Sequence, residues 1–309
     1  DSMLTKTKRR ALFYLAILVF LLLIFPVILY SLGYGIGSDF KLHKTGGIFI
    51  KASEAGAVVA IDKQSKNTSL LANSALIKNL LPGEHQVTVG KDGFWKWSKT
   101  LAVLPETVAE RNVLLVPKNA ETKILGTTTP VSEIKKPKFP GVKKFWVIPK
   151  TDDFLILGDD GKFYKNKDPF DVTSQWGTST LNILKSKKNS FFDENFTRII
   201  YWDEENIDSY WIFDLDKMPE WERSLTANPA RSLHILSASP IRDVRFYPGW
   251  PDYLLVASGD SIYVVEMERA GGQNIFPIYK GKAPKMISAE TNQLILLDDK
   301  NYIEAVLPR

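Results

Sequence analysis

LPGEHQVTVGKDGFWKWSKTLAV, Leu81 to Val103, is the stretch that decides how the chain is read. Pro82-Gly83 and Asp92-Gly93 punctuate it. Between and after them run two extended segments, Glu84 to Val89 and Phe94 to Val103. Glycine supplies the positive φ that tight turns between strands need, so the pattern predicts strand, turn, strand. Upstream, Gly47–Lys51, Ala57–Asp62 and Leu76–Leu80 are further strand candidates, and Val113–Val116 closes the set. Six short strands over ~70 residues predict a small antiparallel β-sandwich.

The same residues carry a family resemblance. GIFIKAS, GAVVAID and LIKNLLPGEHQVTVGKDGFWKWSKTLAV follow one another in the order of a PEGA domain. The stretch Leu80 to Trp97 resembles that family through Leu81, Pro82, Gly83, His85, Val87, Val89, Gly93, Phe94 and Trp97. The Pro-Glu-Gly-Ala turn that names the family aligns with Glu54-Ala55-Gly56-Ala57, where only the Gly56-Ala57 half matches. The likeness covers roughly Thr45 to Lys118. It implies a non-catalytic β domain at a bacterial cell surface, with Gly56, Pro82, Gly83 and Gly93 as structural turns. The layout resembles membrane-anchored PEGA proteins of bacteria, candidate phyla included.

Upstream of this domain, Ala11 to Leu32 reads ALFYLAILVFLLLIFPVILYSL and carries no charge. At 1.5 Å per residue, about 20 such residues cross a ~30 Å hydrocarbon core. A cleaved signal peptide would have a shorter apolar region, ~7–15 residues. Pro26 is tolerated in a membrane helix, and Tyr14 and Tyr30 lie toward its two ends, where interfacial aromatics belong. Lys6, Lys8, Arg9 and Arg10 crowd the N-terminal flank, while Lys41 and Lys44 are fewer and further off. The positive-inside rule predicts residues 1–10 in the cytoplasm, residues 11–32 in the cell membrane and the rest outside.

Beyond the first domain, residues 119–140 hold Thr127-Thr128-Thr129-Pro130 and Lys135-Lys136-Pro137-Lys138, which reads as a semi-extended linker. Its start, Thr122 to Gly126, is a candidate edge strand of either domain. Residues 141–309 repeat a unit of apolar strand, polar turn and further strands: VKKFWVIPKTDDFLILGDDGKFYKNK, FFDENFTRIIYWDEENIDSYWIFDLD, IRDVRFYPGWPDYLLVASGDSIYVVEME and KGKAPKMISAETNQLILLDDKNYIEAVL. Repeats of about 40–60 residues with several strands each point to a β-propeller. The pattern resembles degenerate WD-like and TolB-like propellers. The expected fold class is therefore all-β with one N-terminal transmembrane helix, a PEGA-like sandwich and about four blades.

Composition narrows the chemistry. Net charge is +5, but the excess sits before the apolar segment and around Lys135, Lys136, Lys138, Lys143 and Lys144, with no nucleic-acid motif beside it. No nucleic-acid partner is expected. The absence of cysteine excludes disulfides, thiolate metal sites and cysteine nucleophiles. The histidines His43, His85 and His234 have no metal-ligand spacing, and no nucleophile elbow or P-loop occurs. The carboxylate pairs Asp152-Asp153, Asp159-Asp160 and Asp298-Asp299 fall at predicted turns, which Asp caps through its own backbone. So does Asp203-Glu204-Glu205, which with Asn206 and Asp208 is an alternative calcium site, though the EF-hand glycine and spacing are missing. No cofactor or catalytic residue is expected.

Of the tryptophans Trp95, Trp97, Trp146, Trp176, Trp202, Trp211, Trp221 and Trp250, most are read as core. Trp95 and Trp97 are two apart, share one face if both lie on a strand, and are the candidate ligand platform. The reading is a membrane-anchored surface binding or scaffolding protein with envelope glycan or protein as partner. An envelope hydrolase or lyase with its site in the propeller mouth is the alternative.

Overall fold

The computed structural model describes residues 6–37, 39–62, 64–69, 72–128, 130, 136–148, 151, 153–212, 218, 230–234 and 239–308. Trp221, Lys135, Asp152 and the side chain of His234 lie outside the described residues. The chain divides into two units, residues 1–91 with 96–113, and residues 92–95 with 114–309.

The first unit opens with α1, Lys6–Ser31, a helix of 26 residues with Pro26 inside it and no buried residue. Its mean hydropathy reaches 3.1, and it is long and apolar enough to cross a membrane. A helix apolar all round suits lipid rather than water, so α1 fits membrane anchoring.

A short hairpin follows, β1 (Tyr34–Ile36) with β2 (Leu42–Lys44). The remaining strands are β3 (Gly46–Ala52), β4 (Val58–Ile61), β5 (Gln64–Asn67), β6 (Ser74–Leu80), β7 (Gly83–Gly90), β8 (Trp97–Val103) and β9 (Val108–Val113). They form two open sheets, ordered β6-β3-β9 and β5-β4-β7-β8. Burial alternates: Ile48 and Ile50 of β3, Val59 and Ile61 of β4, and Val87 and Val89 of β7 are fully buried. Each of these strands therefore hides one face, as period-two patterning requires.

Two features depart from the sequence reading. The unit is not purely antiparallel, because β9 runs parallel to β3. Residues 104–107 carry the chain from β8 in one sheet to β9 in the other, and leaving the hairpin frees the strand direction. Val113–Val116 is not the closing strand either. Val113, Leu114, Leu115 and Val116 are all fully buried, without the alternation of a half-exposed strand, and the unit boundary falls after Val113.

Among its described residues the second unit has four antiparallel four-stranded sheets. One holds β11 (Val142–Val147), β12 (Phe154–Gly158), β13 (Phe163–Lys165) and β14 (Asp168–Pro169). After helix α2 (Val172–Ser186) comes the sheet of β15 (Asn189–Phe192), β16 (Arg198–Trp202), β17 (Asn206–Trp211) and β18 (Ala230–His234). A third holds β19 (Ile241–Tyr247), β20 (Trp250–Ser258), β21 (Ser261–Glu266) and β22 (Ile275–Lys280). The last has β23 (Lys285–Glu290), β24 (Gln293–Asp298) and β25 (Asn301–Val306), and is completed by β10 (Thr122–Gly126) from the start of the unit. Residues 122–126 are thus an edge strand rather than part of a linker. Among the described residues no sheet closes on itself.

Neighbouring sheets share cores. Trp146, Leu155 and Leu157 pack with Phe192, Ile199 and Tyr201. Ile200 and Ile207 pack with Val244, Leu254 and Val256. Leu255, Ile262 and Val264 pack with Leu294, Leu296 and Ala305. The helix α2 corrects the expectation of a single helix. Asp171 caps it by accepting from the N–H groups of Thr173 and Ser174, and Val172, Thr180 and Leu184 are buried. Gly177, at φ +80, kinks it.

Candidate functional site

The expected tryptophan platform does not form. Trp97 opens β8 and is 0% exposed. Trp95 precedes the strand and belongs to the second unit, where its Nε1 donates to the Pro277 carbonyl at 3.2 Å and its ring stacks on Phe276 at 6.2 Å. The alternation that would put both rings on one face needs a strand through both residues, and β8 begins only at Trp97. The turn glycines Gly56, Gly83 and Gly93 sit at φ +71, +140 and +83, and Pro82 falls between β6 and β7. Lys6, Lys8, Arg9 and Arg10 lie in the N-terminal turns of α1.

Asp203 and Asp160 are engaged in local bonds at their own turns. Asp203 Oδ1 accepts from the N–H groups of Glu205 at 2.9 Å and Asn206 at 2.8 Å. Those bonds hold its carboxyl below the usual range. Asp160 accepts from the Tyr164 hydroxyl and the Lys162 N–H, which lowers its carboxyl too. No group of three His, Asp or Glu residues placed to hold a metal ion occurs among the described residues.

A different site emerges in the second unit. A cavity of about 170 Å³ is lined by Asp193, Glu194 and Asn195 from the β15–β16 turn and by Phe246, Tyr247, Gly249, Trp250 and Pro251 around the β19–β20 turn. The first wall is rigid because Asp193 caps its own turn. Its carboxylate accepts from the Thr197 N–H and hydroxyl, each at 2.6 Å, and from the Arg198 N–H at 2.9 Å.

Arg198 ties the two walls together. Its side chain is buried, and its Nη1 donates to the Pro251 carbonyl at 3.1 Å and lies 3.4 Å from Met267 Sδ. The guanidinium sits 5.2 Å from the Trp211 ring, with Asp252 Oδ1 at 3.9 Å from Nη2. Tyr247 donates its hydroxyl to the Pro308 carbonyl at 2.9 Å, and Trp250 meets Tyr253 edge-on at 5.9 Å. Burial, then the charge of Glu266, pushes the Tyr253 hydroxyl well above its ordinary pKa.

The cleft therefore sets aromatic surface against exposed Glu194 and Asn195. Rings offer apolar faces to a flat ligand, and the carboxylate and amide offer acceptors and a donor to hydroxyl or amide groups. At this size, below the ~300–1,000 Å³ usual for ligand pockets, it admits one small group such as a single sugar ring or a side chain. Sequence reading missed it because its walls come from turns some fifty positions apart, about residues 193–195 and 246–251. The one local signal was Trp250, a large aromatic opening β20 directly after the turn Pro248-Gly249.

A second, wider groove of about 580 Å³ in the first unit runs between Tyr30 of α1 and residues 64–66 and 76–79 of β5 and β6.

No family model matches the chain, and no curated protein matches it. Among solved structures it is similar to a Bacteroides fragilis protein of unknown function, provisionally described as membrane-associated. The two share 10% sequence identity over 85% of this chain and 95% of the other, with a TM-score of 0.20. A likeness at that level carries no argument about fold or function.

Proposed function

We propose that the chain is a membrane-anchored binding protein of the bacterial envelope. In this reading α1 spans the bilayer with its basic end in the cytoplasm, the PEGA-like unit is a stalk, and the second unit presents a ligand surface. The observation that carries it is the cleft between Asp193–Asn195 and Phe246–Pro251, built on a chain that begins with a lipid-suited helix. The aromatic and acceptor lining favours envelope glycan over other partners, with an envelope protein's side chain as the alternative occupant.

A propeller-like arrangement of the second unit is part of the proposal. It is supported by three successive four-stranded meanders and a three-stranded one that β10, from the start of the unit, completes to four strands. The enzyme reading would need Asp193 or Glu194 as an acid or base, and Asp193 is already occupied in capping its turn.

The test is binding of residues 39–309 to peptidoglycan fragments and to other envelope oligosaccharides, followed by calorimetry. Trp250→Ala should weaken binding at least tenfold in protein that still unfolds in one cooperative transition, at a somewhat lower temperature because the ring also packs on Tyr253. Binding that survives Trp250→Ala, or turnover of any glycan that disappears in Glu194→Gln, would replace this reading.

A further inference from the structure

The hairpin that follows α1 carries apolar side chains with nothing over them. Ile36 is 68% exposed, Phe40 92% and Leu42 50%. Ile36 and Leu42 are direct partners across the β1–β2 ladder, so they stand side by side on one face, with Phe40 at the turn. Phe40 also has φ +60. That conformation is an outlier for a bulky residue and carries a backbone cost. Glycine or asparagine would fill the position without that cost. A strained, outward aromatic on a two-stranded hairpin is unfavourable in water.

The covalent path says what lies beside it. Ala11 to Leu32 is about 33 Å of helix, so a core of ~30 Å ends near Leu32. Ile36 is four residues on, at most about 14 Å further along an extended chain. The hairpin is also tied back to the helix exit, since the Gly33 carbonyl accepts from both the N–H and the hydroxyl of Thr45, each at 2.8 Å. The charges nearby suit a headgroup layer. Lys41 is exposed, and Asp39, the residue that would oppose anionic lipid, is held by His43 at 3.0 Å and by the Lys41 N–H at 3.1 Å. Lys44 is paired with Glu106 and lies 6.0 Å from the Tyr34 ring.

We propose that the β1–β2 hairpin is a second membrane contact, with Ile36, Phe40 and Leu42 bedded among phospholipid headgroups of the leaflet where α1 ends. The proposal rests on the reading of α1 as a membrane span. Two attachments, a helix and a hairpin next to it, fix the tilt of the first sheets against the bilayer where a single flexible exit would not. Aromatic and aliphatic side chains are favoured at that depth, with lysine reaching outward to phosphate.

The cysteine-free chain permits a direct test. The full chain would carry one nitrobenzoxadiazole label at Ile36→Cys or at Leu21→Cys, in vesicles of phosphatidylethanolamine and phosphatidylglycerol. Quenching by headgroup-nitroxide lipid, by mid-chain doxyl lipid and by aqueous iodide would then be compared. The expected result at position 36 is at least twofold stronger quenching by headgroup nitroxide than by iodide, reversed when Phe40→Ser is added. Free quenching by iodide at position 36, with position 21 quenched by mid-chain doxyl, would overturn the hairpin contact and leave the anchor standing. A position 21 label that doxyl lipid does not quench would remove the anchor, and the hairpin contact with it.

Discussion

His85 grips Asp62 across the β4–β7 pair: Nδ1 lies 2.5 Å from Asp62 Oδ2, while Nε2 lies 2.7 Å from the Leu81 carbonyl. With an acceptor at each ring nitrogen, the imidazole is best satisfied when both carry protons. Burial opposes that charge, but the bond to Asp62 and the bond to the Leu81 carbonyl outweigh it and raise the His85 pKa. His85, which has no metal-ligand spacing in the sequence, thus ties a turn to the β4 end through both ring nitrogens.

A pH dependence follows from its sign. A raised folded-state pKa gives stability that is fully present below the unfolded value of about 6.5 and is lost as pH rises through the folded value. The melting temperature of wild type minus that of His85→Phe should therefore shrink as pH rises above about 6.5. A difference that stays flat or grows over that window would show that the ring is held neutral.

The turn glycines separate two kinds of backbone need. A Cβ at Gly83 or Gly93 would meet nothing within 4 Å, so any cost there is conformational. Valine at either should destabilise by about 1–3 kcal/mol. Asparagine should recover much of that at Gly93, whose φ of +83 is near the left-handed helical well, and little at Gly83, whose φ is +140. Chemical denaturation of the four variants measures this, and equal behaviour of asparagine at both sites would contradict it.

Trp97→Ala should cost about 3–5 kcal/mol, because it empties a buried site in β8. Trp95→Ala removes a partly buried ring and one hydrogen bond, and should cost less. If Trp97→Ala left stability unchanged while weakening a ligand, the burial of that ring would be wrong.

How far the sequence spoke is clear from particular elements. The strands around Ile48, Val59, Ile77 and Val87 were legible because apolar residues fall between turn glycines. Strand β5, Gln64–Asn67, has no apolar residue and exists only as a partner of β4. The parallel pairing of β3 with β9 is set by a crossover between sheets, which no local pattern encodes. Helix α2 was hidden by Gly177, which breaks its period, although Asp171 before Val172 is an N-cap signal. The cleft was least legible, since it depends on Arg198 of β16 reaching the Pro251 carbonyl of β20.

The proposed function requires α1 to anchor the chain with its β units outside the cytoplasm. The most direct measurement uses the absence of native cysteine. A membrane-impermeant maleimide is added to spheroplasts of a bacterial host carrying Thr7→Cys or Glu84→Cys. The account predicts that Glu84→Cys is labelled on intact spheroplasts and Thr7→Cys only after lysis. Labelling of Thr7→Cys on intact spheroplasts with Glu84→Cys protected, or release of the chain from washed membranes, would contradict it.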